Sequence, residues 1–385
     1  MVPCDTLAAM HPGEVRPSVS TRFRSQLARL APASAVAGSL LVGMSLLLPA
    51  AAQSPSASTE PAPVVASAQP RGAPVARVAV AYDLSGRSKG DFNDLAYQGV
   101  ARAAQELGAE LLEVTAKLDD TDADRAERLR LLAEAGYNPI IGVGFTYSEP
   151  MAEVASEFPD TFFAIVDDAV ISGPNIRTIT FKEHEGSFLV GVAAALTSQT
   201  GHVGFVGAVP IPLIEKFQAG YLAGVAAIAP EATVDVAFLS QPPDYSGFGD
   251  PARGREASLG QFDAGADVVF AAAGGSGEGV VEAAAAEDAW AIGVDADQWP
   301  LVDEALRPHV LTSMLKHADV GTYAFVRDVA DGTFVPGHLD YGIAEGGVGY
   351  ATSGGHLDPI VPELETWAAR IAAGEVLVPE VPAGS

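Results

Sequence analysis

The chain has 385 residues, with 49 Asp and Glu against 22 Lys and Arg and a formal net charge of −27 at pH 7. That length accommodates one large or two medium domains, and the excess of carboxylates argues against nucleic acid or an anionic membrane surface as partner. The one cysteine, Cys4, builds no disulfide framework, and the seven histidines are scattered without zinc-site spacing, so no metal is expected.

Residues 1–52 read as an export signal. Arg16, Arg22, Arg24 and Arg29 precede an apolar run over 36–48, and Ala50-Ala51-Ala52 before Gln53 offers a small-residue cleavage site. A membrane anchor is the competing reading, but the run reaches spanning length only if its Ala, Gly and Ser count as apolar. Residues 53–75 are rich in Pro, Ala and Ser and read as a tether with no core to bury. The folded part is expected over 76–385.

An apolar strand over 75–83 runs into Gly90-Asp91-Phe92-Asn93, which opens a helix. Ala96, Val100, Ala103 and Leu107 line one face of that helix, Asp91 is its N-cap and Gly108 its stop. Phe92 and Asn93 therefore stand in the first turn, at the carboxyl end of the first strand, where open α/β sheets bind ligands. A flat ring beside a side-chain amide suits a flat heterocycle. The competing reading makes Phe92 a core staple and Asn93 a helix-start residue.

Further strands are expected over 110–114, 139–145, 161–168 and 176–181, with a helix over 124–135. The acidic run 119–124 resembles a calcium loop, but it lacks the Gly at the sixth position and has Leu131 where the bidentate Glu belongs, so it reads as a solvated helix start. The pattern then restarts with a helix over 186–196 and strands over 202–208, 234–239, 267–275, 290–295 and 310–315. Asp250-Pro251 caps a further helix running to Gly265. Apolar strands alternating with helices predict parallel sheets covered on both faces, in two similar lobes. An internal echo supports the division: Phe92 precedes Gly99-Val100-Ala101 as Phe217 precedes Gly224-Val225-Ala226. On this reading each Phe opens the helix after the first strand of its half, and the two rings face each other across the interlobe cleft.

Asp83, Asp167, Asp168 and Asp295 stand at strand ends that converge on that cleft, and Gly144 and Gly274-Gly275 permit close backbone approach. Two chemistries use such carboxylates. A hydrolase pairs them for acid–base work or metal binding; a binding protein uses them to accept from sugar hydroxyls or ring N–H groups. Gly275-Ser276-Gly277-Glu278-Gly279 lacks the Lys-Ser/Thr of a phosphate loop.

Seven segments decide between these by resemblance: Gly90-Asp91-Phe92-Asn93, Phe163-Ala164-Ile165-Val166-Asp167, Phe217-Gln218-Ala219-Gly220-Tyr221, Asp250-Pro251-Ala252-Arg253-Gly254, Ala273-Gly274-Gly275-Ser276-Gly277, Ile292-Gly293-Val294-Asp295-Ala296-Asp297-Gln298 and Ser313-Met314-Leu315-Lys316. In this order they resemble the basic-membrane-protein family of ABC-transporter substrate-binding proteins, which includes the purine nucleoside receptors. The resemblance implies an α/β, type I periplasmic-binding-protein fold: two doubly wound parallel-sheet lobes with a hinge, three crossovers and a ligand cleft between them. Lobe 1 is expected over about 76–181 and 313–338, and lobe 2 over about 182–312 and 339–385. It further implies that Phe92 and Phe217 sandwich the purine, Asn93 and Asp167 read its edge, Asp295 and Lys316 hold the ribose beside the Gly274-Gly275 turn, and Asp83 lines the pocket.

The implied protein is a non-enzymatic, monomeric, exported receptor. It uses no cofactor and delivers purine nucleosides to the permease subunits of an ABC importer. A ligand-sensing co-receptor of the same fold is one alternative; an exported nucleoside hydrolase is another, though that enzyme needs clustered aspartates near the amino terminus and Asp83 stands alone there. Many family members carry a lipidated Cys after the signal peptide. Ala52-Gln53 stands there instead, so an unanchored protein on the outer side of the cytoplasmic membrane is expected. Arg87-Ser88-Lys89 places two cations beside the presumed cleft.

Overall fold

The computed structural model describes residues 74–383 apart from Ser85, Lys89 and Leu118; the export segment and nearly all of the tether lie outside them. The chain starts β1 (Arg77–Tyr82), α1 (Phe92–Leu107), β2 (Glu110–Thr115), α2 (Asp122–Glu134), β3 (Ile140–Val143), α3 (Ser148–Glu157), β4 (Phe163–Val166) and β5 (Ile176–Phe181). It continues α4 (Glu183–Thr197), β6 (His202–Gly207), α5 (Pro212–Ile228), β7 (Thr233–Phe238), α6 (Pro251–Asp263), β8 (Val268–Ala272), α7 (Gly277–Ala286), β9 (Trp290–Asp295) and β10 (Val310–Lys316). It ends with α8 (Ala318–Asp331), β11 (Gly337–Tyr341), β12 (Val348–Tyr350) and α9 (Val361–Ala372). No helix among the described residues is long and apolar enough to cross a membrane.

The strands form two sheets, ordered β11-β5-β4-β3-β1-β2 and β12-β10-β9-β8-β6-β7. The orders are the same strand for strand, with β1 to β5 answering β6 to β10. All pairings are parallel except β12, which runs antiparallel on β10. Each central strand is buried on both faces, as helices on both sides require. In β1, Val78, Val80 and Tyr82 pack into one hydrophobic cluster while Ala79 and Ala81 pack into another. In β8, Val268, Phe270 and Ala272 alternate in the same way with Val269 and Ala271.

The chain passes between the sheets three times: from β5 into α4, from β10 into α8, and from β11 to β12. This moves the expected lobe boundaries. β10 pairs with β9 as far as Leu315 and with β12 as far as Lys316, so residues 313–316, expected in lobe 1, belong to the second sheet. Residues 339–341, expected in lobe 2, pair with β5 in the first. Each crossover follows the end of a strand's hydrogen-bonded run.

Local signals account for the helix ends. The Asp91 side chain accepts from the Asp94 N–H at 2.7 Å, and Gly108 closes α1 with φ 67°. The acidic run begins α2 through a capping box between Thr121 and Asp124. The echo reflects helix packing. A methyl group on Gly99 of α1 would stand 2.1 Å from the Asp319 carbonyl oxygen of α8, and one on Gly224 of α5 would stand 2.1 Å from that of Phe188 in α4. In each lobe the first helix thus rides on the helix that follows a crossover, backbone against backbone. Phe217, however, does not open its helix. Pro212 starts α5, because a proline needs no N–H partner there, and Phe217 lies over one turn in.

Candidate ligand site

The carboxyl ends of both sheets carry the polar groups. Asp167 follows β4 and Asp295 ends β9, equivalent positions in the two lobes. Both hold a left-handed backbone, φ 68° and 65°, rare for residues other than glycine and characteristic of constrained sites. Among the described residues each has a carboxylate oxygen with no hydrogen-bond donor. Asp167 Oδ1 is buried without a partner, and burial, reinforced by Asp167 and Glu183 and opposed by Lys316, pushes the Asp295 carboxyl up to about 7.

Lys316, the last residue of β10, sits between these strand ends and is only 2% exposed. Its ammonium donates to Asp167 Oδ2 at 2.7 Å and stands 3.0 Å from Glu183 Oε1. It also lies 4.8 Å from the centroid of Phe92, 5.4 Å from that of Phe181 and 5.8 Å from that of Phe217, so the two expected rings gather at one ammonium. Burial alone would lower the Lys316 pKa, but Asp167, Glu183 and Asp295 together raise it above the ordinary lysine value, and the ammonium stays charged.

The two rings differ in setting. Phe92, the first residue of α1, is partly exposed; Phe217 is 3% exposed and packs toward Phe270. Asn93 is buried beside Phe92, and its amide donates to the Gly86 carbonyl at 3.4 Å. Asp83 follows β1 and accepts from the Leu84 N–H at 2.7 Å and the Thr146 hydroxyl at 3.2 Å. Burial pushes its carboxyl up to about 6 against the pull of those hydrogen bonds. Gly144, with φ 104°, passes so close that a methyl group there would stand 2.0 Å from Asp83 Oδ2. A cavity of about 400 Å³ is lined by Leu84, Asp120, Arg125, Phe145 and Thr146 of lobe 1 with Tyr245 of lobe 2; neither Asp83 nor the other expected ligand residues line it. The exposed Gly274-Gly275 turn follows β8, with Gly274 at φ 55° against the Phe248 carbonyl.

Residues 76–380 match the family described as ABC transporter substrate-binding protein, PnrA-like. The chain belongs to this family. Among relatives of this substrate-binding protein, the CD4+ T-cell-stimulating antigen of Listeria monocytogenes is 31% identical over 323 residues, covering 79% of this chain and 88% of the relative. The ABC transporter nucleoside-binding protein BmpA of Lactococcus lactis is 28% identical over 326 residues, covering 79% and 89%. A crystal structure of an ABC transporter solute-binding protein from Aeropyrum pernix superposes with a TM-score of 0.65 at 25% identity, covering 78% and 94%. The fold is the type I periplasmic-binding-protein fold: two mostly parallel α/β lobes.

The resemblance implied that Asp295 and Lys316 hold the ribose. The direct ion pairs of Lys316 are with Asp167 and Glu183, two partners the sequence did not assign to it. Glu183 was missed. It lies two residues past β5, with no motif around it, and only its absolute burial marks it. Asp168 is a turn former, its carboxylate accepting from the N–H groups of Val170 and Ile171. Arg87 clamps its loop to Asp94 and Glu113, 2.8 Å from each, and lies over the Tyr97 ring; Lys89 is outside the described residues.

Proposed function

We propose that the protein captures purine nucleosides in the interlobe cleft and hands them to the permease of an ABC importer, acting by binding alone. The observation that carries this reading is one constellation: a charged ammonium with the Phe92 and Phe217 rings 4.8 and 5.8 Å from it, and a strand-end carboxylate from each lobe with acceptor capacity left over among the described residues. Rings take a flat base, and buried acceptors with an ammonium suit N–H groups and vicinal hydroxyls. The nucleoside-binding relative from Lactococcus lactis supports the same ligand class. On this reading residues 1–52 export the chain, which works on the outer side of the cytoplasmic membrane.

Titration calorimetry with guanosine, inosine, guanine and hypoxanthine tests the ligand. A buried site built for hydroxyls rejects a ligand that lacks them, so nucleosides are expected to bind at least about tenfold more tightly than their bases. Equal affinity for base and nucleoside removes the ribose from the reading, and absence of binding by all four overturns it.

A further inference from the structure

Glu183 is the charged group at this site that the proposed ligand roles leave unused. It is the first residue of α4, and its side chain is wholly buried. Among the described residues no backbone N–H donates to it. Its company is two ammonium groups, Lys316 Nζ 3.0 Å from Oε1 and Lys216 Nζ 3.7 Å from Oε2. Stability does not explain such an arrangement, because desolvating buried charges offsets most of their attraction and an apolar replacement often does as well.

Geometry explains it better. An ammonium is a flexible point charge with three donors on a four-carbon stem. One donor of Lys316 goes to Asp167 Oδ2. With Asp167 as sole partner, the group could swivel about that bond and turn a second donor onto Asp167 Oδ1, the oxygen that is otherwise open. A second fixed carboxylate stops this. It draws the ammonium toward Glu183, and the Phe92, Phe181 and Phe217 rings stand 4.8, 5.4 and 5.8 Å from the same nitrogen. Glu183 and Lys316 both belong to the second lobe, whereas Asp167 belongs to the first. Separation of the lobes breaks the Asp167 contact and leaves the Glu183 contact in place.

We infer that Glu183 is a positioning residue, which holds the Lys316 ammonium so that one donor faces the cleft and Asp167 keeps Oδ1 open for ligand. It acts through Lys316 and touches no ligand itself. This rests on the assignment of Lys316 to the ribose.

Two variants of the full chain separate positioning from packing. Glu183→Leu keeps the bulk and removes the acceptor; Glu183→Gln keeps an acceptor oxygen and removes the charge. The readout is the ratio of the guanine to the guanosine dissociation constant, with melting temperature as the folding control. A wild-type ratio of about ten or more is expected to fall below about three in Glu183→Leu and to recover at least halfway in Glu183→Gln, while guanine affinity changes by less than about threefold. An unchanged ratio in Glu183→Leu, equal loss for both ligands, or a Gln variant no better than the Leu variant overturns the inference. Should Glu183→Leu not fold, Glu183→Asp, which keeps the charge and shortens its reach, is read against the same thresholds. A wild type that binds both ligands equally instead defeats the ribose assignment, and that outcome is visible before any variant is made.

Discussion

Asp295 joins a strained backbone to a carboxyl with no donor among the described residues, and its ionisation is the property most open to measurement. Burial raises its pKa to about 7. If ribose hydroxyls donate to it, ligand binding selects the ionised form. Guanosine affinity is then expected to be level above about pH 8 and to fall as pH drops through about 7, and Asp295→Asn to flatten that profile. The same shift acts on stability with a definite sign. The folded pKa lies above the unfolded one, so ionising Asp295 destabilises the fold; the cost is full above about pH 7 and vanishes below about pH 4. Asparagine tolerates the left-handed backbone, so Asp295→Asn is expected to melt higher than wild type at pH 8 and to lose that advantage near pH 4.

The rings call for unequal treatment. Stacking on a base is worth roughly 1–3 kcal/mol per ring, so Phe92→Ala is expected to weaken guanosine binding by about one to two decades with little change in melting. Phe217 is nearly buried, and Phe→Ala at such a site costs roughly 3–5 kcal/mol of stability. Phe217→Leu is therefore the informative variant, and calorimetry should show a loss comparable to that of Phe92→Ala. Normal binding by both would return the two rings to the core.

At the scale of elements, glycine sets how closely helices and turns approach. Gly224 meets the Phe188 carbonyl of α4, whereas Gly260 of α6 has open space where a side chain would go. Gly224→Ala is expected to destabilise by about 1–3 kcal/mol through overpacking, and Gly260→Ala to stabilise by up to about 1 kcal/mol through helix propensity. Denaturant titration of the pair checks both signs. At Gly144 an alanine would combine φ strain with collision against Asp83. Packing here places the strand-end turn as well as supporting it.

At the scale of the whole molecule, the lobes touch through several residues. Phe145 meets Tyr245 edge-on at 5.4 Å. Leu301 sits where a Gly90 side chain would be, its methyl carbon 2.2 Å from that position. Lys316 likewise reaches across to Asp167. Only three chain passages join the lobes, so a hinge between open and closed arrangements is expected. Small-angle scattering should show contraction on saturation with guanosine. Tyr245→Ala, which removes one contact of the closed arrangement, should contract less at equal ligand concentration. No change in radius despite measured binding would count against a cleft that closes.

The sequence alone determined what depends on neighbours along the chain. Strand and helix periodicity, the Asp91 cap, the Gly108 stop and the carboxylates at strand ends are local, because each is set by residues a turn or a strand length apart. The two-lobe class followed from that pattern and from the segments that resemble the family. What only the tertiary structure decided are the relations between distant residues. Lys316 and Asp167 are 149 positions apart, and no periodicity encodes that Lys316 pairs with Asp167 and Glu183 while Asp295 meets no donor among the described residues. The place of β10 in the second sheet, the start of α5 before Phe217 and the burial of Glu183 have the same origin. Each is settled by which surfaces and hydrogen-bonding edges meet once the chain has folded back on itself, and local residue preferences are silent about that encounter.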